Sequence, residues 1–134
     1  MIRYLVAAAL LLPLAACSQG GQKPAAGDLN AELQPQMLAW RTALEANHVA
    51  CKTKVDGKGC ESFEVTCKAA QDISPEEKAK GVTAQVIAAM TFNGRTADGS
   101  SGKPGSAFAQ FTKTGDSWTR TEAKPVNMST CAPL

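Results

Sequence analysis

The sequence predicts an α+β domain: one N-terminal amphipathic helix packed on an antiparallel sheet of four or five strands and cross-linked by disulfides. Apolar residues recur at helical spacing in one segment and alternate with polar residues in later ones, and four cysteines lie in the same region. The chain has 134 residues, of which 44% are hydrophobic. We therefore expect a single small domain with its own core.

The first sixteen residues have the organisation of a secretory signal peptide. Arg3 supplies a positive charge, residues 4–14 form an apolar run, and two alanines precede Cys17. The run is too short to cross a hydrocarbon core about 30 Å thick, and Pro13 interrupts it. We therefore expect residues 1–16 to be removed rather than to anchor the chain as a helix.

The segment Leu14-Ala15-Ala16-Cys17 resembles the lipobox of bacterial lipoproteins, whose pattern is Leu-(Ala/Ser)-(Gly/Ala)-Cys, at all four positions. The resemblance implies a diacylglyceryl thioether on Cys17, cleavage before it, and usually a third acyl chain on the new N-terminus. Two or three acyl chains hold a protein stably on a membrane, whereas one binds only marginally. The alternative is an ordinary signal peptide that happens to have a cysteine at this position.

The residue after Cys17 sets the expected location of the protein in a Gram-negative envelope. In such lipoproteins an aspartate at that position retains the protein in the inner membrane, and this chain has Ser18. The resemblance thus implies the outer membrane, with the protein facing the periplasm. Residues 17–27 are rich in Gly, Gln and Ala and predict a lipidated flexible tether, followed by one folded domain over 28–134.

The first element of the domain is a helix predicted at about 35–48. Apolar residues fall close to helical spacing at Leu33, Met37, Trp40 and Leu44. We place Pro35 in the first turn, because inside a helix its ring clashes with the carbonyl group four residues earlier. The single histidine, His48, falls at the predicted C-terminus, where the helix dipole favours a cation.

Two segments after this helix alternate apolar and polar residues as half-buried strands do. In the first, 61–68, the residues predicted to share one face are Phe63, Val65 and Cys67. In the second, 82–93, Ile87 is the single large apolar residue on the outer face. Between them, Ser74-Pro75-Glu76-Glu77 predicts a capping box and a helix of one or two turns at about 75–80, with Gly81 as its C′ residue.

The C-terminal part predicts a hairpin and one further strand. Residues 107–113 and 117–123 flank Thr-Gly-Asp, which is a hairpin signal, and 126–131 predicts a short last strand. Residues 93–106, rich in Gly and Ser, predict a mobile loop. By element order alone, the domain looks like cystatin-like and NTF2-like small domains.

Besides Cys17, the chain has four cysteines, namely Cys51, Cys60, Cys67 and Cys131. An even number in an exported domain indicates disulfides. We predict Cys51–Cys60, which brackets a turn-rich loop, and Cys67–Cys131, which joins the ends of the first and last strands. Strict alternation places Cys131 on the face opposite to its apolar neighbours, so the second disulfide requires a bulge. Zinc is the alternative, but the spacings do not match structural zinc sites, so we expect no metal and no cofactor.

Three other features of the sequence are candidate functional sites. His48 could serve catalysis, but no Gly-x-Ser-x-Gly segment accompanies it. Residues 98–104 are similar to a phosphate loop but lack its first glycine and end in Pro104 instead of Ser or Thr. A lysine-rich loop, with Lys52, Lys54 and Lys58, could contact anionic head groups, although a solvated loop is the simpler interpretation.

The composition bounds the function without fixing it. A net charge of +2 and 5% aromatic residues do not indicate a nucleic-acid binder. We expect a non-enzymatic lipoprotein, with no catalytic residues, that meets the membrane through acyl chains on Cys17 and binds an envelope protein or cell-wall component or supports envelope assembly. One alternative is a carrier of a small apolar ligand, which requires an apolar cavity. The other is an enzyme or enzyme inhibitor; in an enzyme, His48 would meet a carboxylate in a cleft.

Overall fold

A computed structural model of the protein describes the backbone from residue 26 and the side chains from residue 29, up to residue 134. Cys17, Ser18 and the predicted signal peptide lie outside this range. The elements are α1 (Ala26–Asn47), a 3-10 turn (Val49–Cys51), β1 (Cys60–Ala70), α2 (Pro75–Ala79), β2 (Val82–Arg95), β3 (Ser101–Thr114) and β4 (Ser117–Glu122). The strands form one four-stranded antiparallel sheet in chain order, with α1 packed on one face. The predicted α+β fold is confirmed.

Helix α1 begins at Ala26 rather than at residue 35, so the predicted tether ends earlier than expected, and Pro35 lies inside the helix. A proline in a helix interior costs about 3 kcal/mol. The helix continues because its apolar stripe crosses the proline: Leu29 and Leu33 before it and Met37 after it pack on the same core. Each large apolar side chain that is fully buried contributes about 1.5–3 kcal/mol, which offsets the cost.

The main core lies between α1 and the inner face of the sheet. On β2, the alternate residues predicted to face inward are buried from Ala84 to Phe92, including Val86, Ala88 and Met90, whereas Val82 at the start of the strand is half-buried. Helix α1 contributes Leu33, Met37 and Trp40, and β3 contributes Ala109 and Phe111. The period-2 pattern of β2 therefore predicted its buried face correctly.

Strand β1 does not keep the single apolar face that alternation predicts. Phe63 and Val65 pack on the main core, whereas Cys67 belongs to a second cluster on the other face of the sheet. The register of β1 against β2 shifts between Val65 and Cys67, which is the mark of a bulge. One extra residue in the strand places the side chains that follow it on the opposite face of the sheet.

The second cluster covers the outer face of the sheet with the C-terminal segment. Its buried members are Cys67, Ala89, Val126 and Cys131, and Ile87 packs against them. Disulfides join Cys67 to Cys131 and Cys51 to Cys60, which is the pairing that the sequence predicts. The predicted last strand is wrong, because the segment forms a compact turn.

That turn places Cys131 on the sheet. The N–H of Cys131 donates to the carbonyl oxygen of Asn127 at 2.8 Å, and Val126 makes an isolated bridge with Pro133. Cys131 itself has a φ of 58°, in the left-handed region. The chain reverses there, so no strand alternation applies and Val126 and Cys131 reach the same cluster.

The predicted mobile loop 93–106 is largely strand. Its ends belong to β2 and β3, with Asn93 paired to Pro104 and Arg95 to Ser101. The glycines that indicated a loop serve close backbone approach instead: a Cβ on Gly94 would lie 2.5 Å from the carbonyl oxygen of Ala50. Only the tight connection between β2 and β3 is outside the two strands.

The capping box forms as predicted. The Ser74 hydroxyl oxygen accepts from the Glu77 N–H at 3.2 Å, and the Glu77 carboxylate accepts from the Ser74 N–H at 3.0 Å. Gln85 on β2 donates to the other oxygen of Glu77 at 2.5 Å. The bond from the Ser74 N–H, followed by those from Gln85 and the Ser74 hydroxyl, holds the pKa of Glu77 below its usual value. Gly81 ends the helix with a φ of 87°.

Candidate functional site

A cleft of about 300 Å³ lies between the C-terminal end of α1 and the edge strand β4. Its walls combine buried apolar residues with charged and polar ones at the rim. The side chains on which its chemistry depends are Trp40, Asn47, His48, Arg120 and Glu122. A concave site with a few polar groups that converge is the usual form of a small-ligand site.

Strand β4 places its two charged residues on the helix side of the sheet. Arg120 pairs with Phe111 and Glu122 with Ala109, both of which are buried in the main core. Paired residues in an antiparallel sheet project to the same face, and residues two apart on a strand do so as well. Arg120 and Glu122 are exposed, and neither forms an ion pair with any side chain that the structure describes.

Trp40 forms the buried wall of the cleft. It is 4% exposed and packs edge-on against Phe111, with ring centroids 5.7 Å apart. Its indole N–H makes no hydrogen bond to any residue in the described range. The indole nitrogen is not among the buried polar atoms that lack a partner, so this N–H is open to solvent. The cleft therefore holds a hydrogen-bond donor that the domain itself leaves unused.

His48 directly follows α1 and caps the 3-10 turn that comes next. Its Nδ1 accepts from the Ala50 N–H at 3.1 Å, and its ring meets Phe92 edge-on at 4.8 Å between centroids. The prediction that His48 lies at the C-terminus of this helix is confirmed, because α1 ends at Asn47 and the His48 backbone N–H donates to the Leu44 carbonyl oxygen at 2.8 Å. Because Nδ1 accepts, the proton of the neutral ring is on Nε2, which makes His48 a donor toward its surroundings.

The polar groups of the cleft can make hydrogen bonds and ion pairs. A histidine whose Nδ1 accepts a backbone N–H has no second free nitrogen that could act as a base. Among the described side chains, no hydrogen bond or ion pair links His48 to Glu122, although both line the cleft. What the site offers a ligand is one cation, one anion and two neutral donors.

Two other grooves are more apolar. One, of about 610 Å³, is an open depression on the outer face of the sheet beside the C-terminal segment, and Phe108, Met128 and Leu134 line it. The other, of about 170 Å³, lies between α1 and β1, where Arg41 stacks 4.8 Å from the centre of the Phe63 ring. Helix α1 fills the inner face of the sheet. A carrier that held its apolar ligand on this face would need a cavity there.

The remaining residues that the sequence singled out do not converge on the cleft. Lys54 Nζ donates to the Glu45 carbonyl oxygen at 2.5 Å, while Lys52 and Lys58 are exposed. Asp98 organises the β2–β3 turn by accepting from Ser100 and Thr96, and these bonds, the Ser100 hydroxyl first, lower its pKa to about 2. No cluster of three metal-binding side chains occurs in the described part of the chain.

Comparison with known proteins adds no functional information. No protein-family model matches the chain, and no match was found among curated proteins or solved structures. Within residues 26–134, no helix is long and apolar enough to cross a membrane. The likeness of element order to cystatin-like and NTF2-like domains stays a prediction.

Sequence reasoning identified His48 as a candidate but missed Arg120 and Glu122. The signal was present in Trp118-Thr119-Arg120-Thr121-Glu122, which alternates large or charged residues with threonine. Trp118 packs on the main core, so this alternation also assigns both charges to the helix side. What the sequence could not supply was the position of α1 across the sheet, which makes these residues the second wall of a cleft.

Proposed function

We propose that this protein is a lipid-anchored module of the bacterial outer membrane that faces the periplasm and binds a small envelope-derived ligand without transforming it. The lipobox Leu14-Ala15-Ala16-Cys17 supports the anchor. The two disulfides support an exported location, because such bonds persist in oxidising compartments such as the periplasm. The acyl chains on Cys17 would be the membrane contact.

The observation that carries the binding role is the set of unused polar groups in the cleft. Trp40 lies against the core with a free N–H, and Arg120 and Glu122 project into the same space without partners in the described range. A ligand that supplies partners for these three groups would gain hydrogen bonds and ion pairs that the domain itself does not make. The His48 Nδ1 already accepts from the Ala50 N–H, which favours binding over catalysis because this nitrogen is not free to act as a base.

The position of the cleft fits an anchored receptor. The part of the chain that follows Cys17 leads into the N-terminal end of α1. The cleft lies beside Asn47 and His48 at the other end of this helix. A helix of 22 residues is about 33 Å long at 1.5 Å per residue. The cleft is thus separated by about that distance from the end at which the membrane anchor joins the domain.

Lipid labelling of intact cells tests the anchor. With a clickable palmitate analogue, the full chain should be labelled and should sediment with outer membranes, whereas Cys17→Ser should lose both properties. Ser18→Asp should keep the label and move to the inner membrane, and Ser18→Ala is its matched control. Labelling of the Cys17→Ser variant, or its continued sedimentation with membranes, would show that the lipobox interpretation is wrong.

A further inference from the structure

We propose that the cleft between α1 and β4 is a receptor site for a zwitterionic dipeptide, with Arg120 on its carboxylate and Glu122 on its ammonium group. This inference rests on the proposed binding role and names the ligand class. It is carried by the two neighbouring opposite charges, by the neutral donors that line the same cleft and by the size of the cleft.

Arg120 and Glu122 place opposite charges side by side on one face of β4. Arg120 and Glu122 are two residues apart on β4, which places their Cα atoms about 6.6 Å apart at the usual rise per strand residue. Because both side chains are long and exposed, their charged ends can reach the two ends of an extended dipeptide, which lie up to about 7 Å apart. Neither side chain is paired within the described residues, so each retains its charge for a ligand. One cation and one anion favour a zwitterion over a purely anionic or cationic ligand.

The neutral groups of the cleft match a peptide unit. Trp40 and His48 each present an N–H with no acceptor in the described residues, and a peptide carbonyl group is such an acceptor. Asn47 donates its amide N–H to the Ala43 carbonyl oxygen at 3.0 Å, which leaves its Oδ1 to accept a peptide N–H. All three residues line the cleft together with the apolar Leu44, against which a small side chain can pack.

The cleft volume limits the ligand. About 300 Å³ is at the lower end of the range for small-ligand sites, which is suitable for two small residues but not for a long peptide. The rim charges are exposed, so salt should screen their attraction. We therefore expect modest affinity that falls as ionic strength rises.

Calorimetric titration of the full chain in detergent micelles tests the site, with L-alanyl-L-alanine as the probe. We expect saturable binding at one site, and binding weaker by about tenfold or more for the blocked N-acetyl-L-alanyl-L-alanine amide, which carries neither charge. Arg120→Gln and Glu122→Gln should each weaken binding of the free dipeptide by about tenfold or more. Lys124→Gln and Glu76→Gln, which remove the same charges outside the cleft, should bind as the unmodified chain does.

D-alanyl-D-alanine, titrated in parallel, distinguishes the two sources of such a ligand. Saturable binding of either dipeptide supports the site. Tighter binding of the D,D-dipeptide indicates a ligand derived from the cell wall, and tighter binding of the L,L-dipeptide indicates a ligand of protein origin. Circular dichroism checks that each variant is folded, which is expected because all four substituted residues are exposed.

Two results would overturn the dipeptide site: no saturable binding of either dipeptide, or unchanged binding by both charge variants. Palmitate labelling of Cys17 reports on the anchor alone. Loss of the dipeptide site would therefore leave the anchor intact, and loss of the anchor would leave the dipeptide measurement unaffected.

Discussion

Cys67 and Cys131, which are 64 residues apart in the chain, are bonded across the outer face of the sheet. Cys67 reaches that face because β1 has a bulge just before it, and Cys131 reaches it because the chain turns there with a φ of 58°. Two local irregularities therefore place one covalent bond. The second cluster, built from Ala89 and Val126 around this bond, depends on it to hold the C-terminal segment on the sheet.

We predict that the double substitution Cys67→Ala/Cys131→Ala destabilises the domain more than Cys51→Ala/Cys60→Ala does. In the chain-entropy model, closing a loop with a sequence separation of 64 contributes about 4 kcal/mol, and closing one with a separation of 9 contributes about 2.6 kcal/mol. Urea unfolding of both double variants, followed by tryptophan fluorescence, measures the difference.

The control for this pair is the oxidised parent chain measured in the same series. An equal or larger loss for the Cys51/Cys60 variant would contradict the prediction. Such a result would mean that the native contacts around Cys51, which belongs to the main core, outweigh the difference in loop length.

Gly105 should not tolerate alanine. It is paired with Phe92 on β2, and a Cβ at this position would lie 2.4 Å from the Cε2 atom of the Phe92 ring. That ring is 1% exposed and is flanked by His48 at 4.8 Å and Phe63 at 5.3 Å between centroids. Because the ring has little room to move, we expect Gly105→Ala to cost about 1–3 kcal/mol of unfolding free energy.

Ser106→Ala is the matched control, since residue 106 is adjacent and exposed. It should change the urea midpoint little. If Gly105→Ala unfolded at the same urea concentration as the Ser106→Ala variant, the close packing of Phe92 over Gly105 would be refuted.

The regular parts of the fold were predictable because their signals are local. The alternation along β2 gave its buried face, and Ser74 with Glu77 gave the capping box, since both patterns are decided within a few residues. The extension of α1 through Pro35 was not predictable from helix propensity. Burial of Leu29 and Leu33 against the sheet outweighs the low helix propensity of the proline.

Two of the errors arise because glycine is typical of both loops and closely packed strands, and because a bulge has no composition of its own. Gly94 and Gly105 suggested a loop but permit close contacts within paired strands. The bulge before Cys67 leaves no mark in the composition of β1, so its face was assigned wrongly. The cleft was missed for a further reason: Arg120 and His48 are distant in sequence and meet only through the packing of α1.

The N-cap of α2 should be sensitive to loss of its hydroxyl group. Ser74→Ala removes the oxygen that accepts from the Glu77 N–H, and we expect a loss of about 1 kcal/mol in unfolding free energy. The pKa of Glu77 should remain lowered, because the Ser74 backbone N–H and Gln85 still donate to its carboxylate. Urea unfolding measures the first effect, and Ser74→Asn, which keeps a capping oxygen, should retain most of the stability.

The β2–β3 turn should weaken in acid through Asp98. Its pKa is lowered from 3.8 to about 2, first by the Ser100 hydroxyl and then by Thr96 and the Ser100 N–H. A folded-state pKa below the unfolded value means that the charged form stabilises the fold. This contribution is complete above pH 3.8 and is lost as the pH falls through about 2.

Nuclear magnetic resonance titration of the Asp98 carboxyl carbon tests this assignment. The midpoint should lie near pH 2 in the parent chain, and Ser100→Ala should raise it toward 3.8, because the substitution removes the largest cause of the shift. The rise should be incomplete, since Thr96 and the backbone N–H of residue 100 still donate. Ser101→Ala is the matched control, because the Ser101 hydroxyl donates to Glu61 instead. Identical midpoints for the parent and Ser100→Ala would show that the serine hydroxyl does not hold the Asp98 carboxylate.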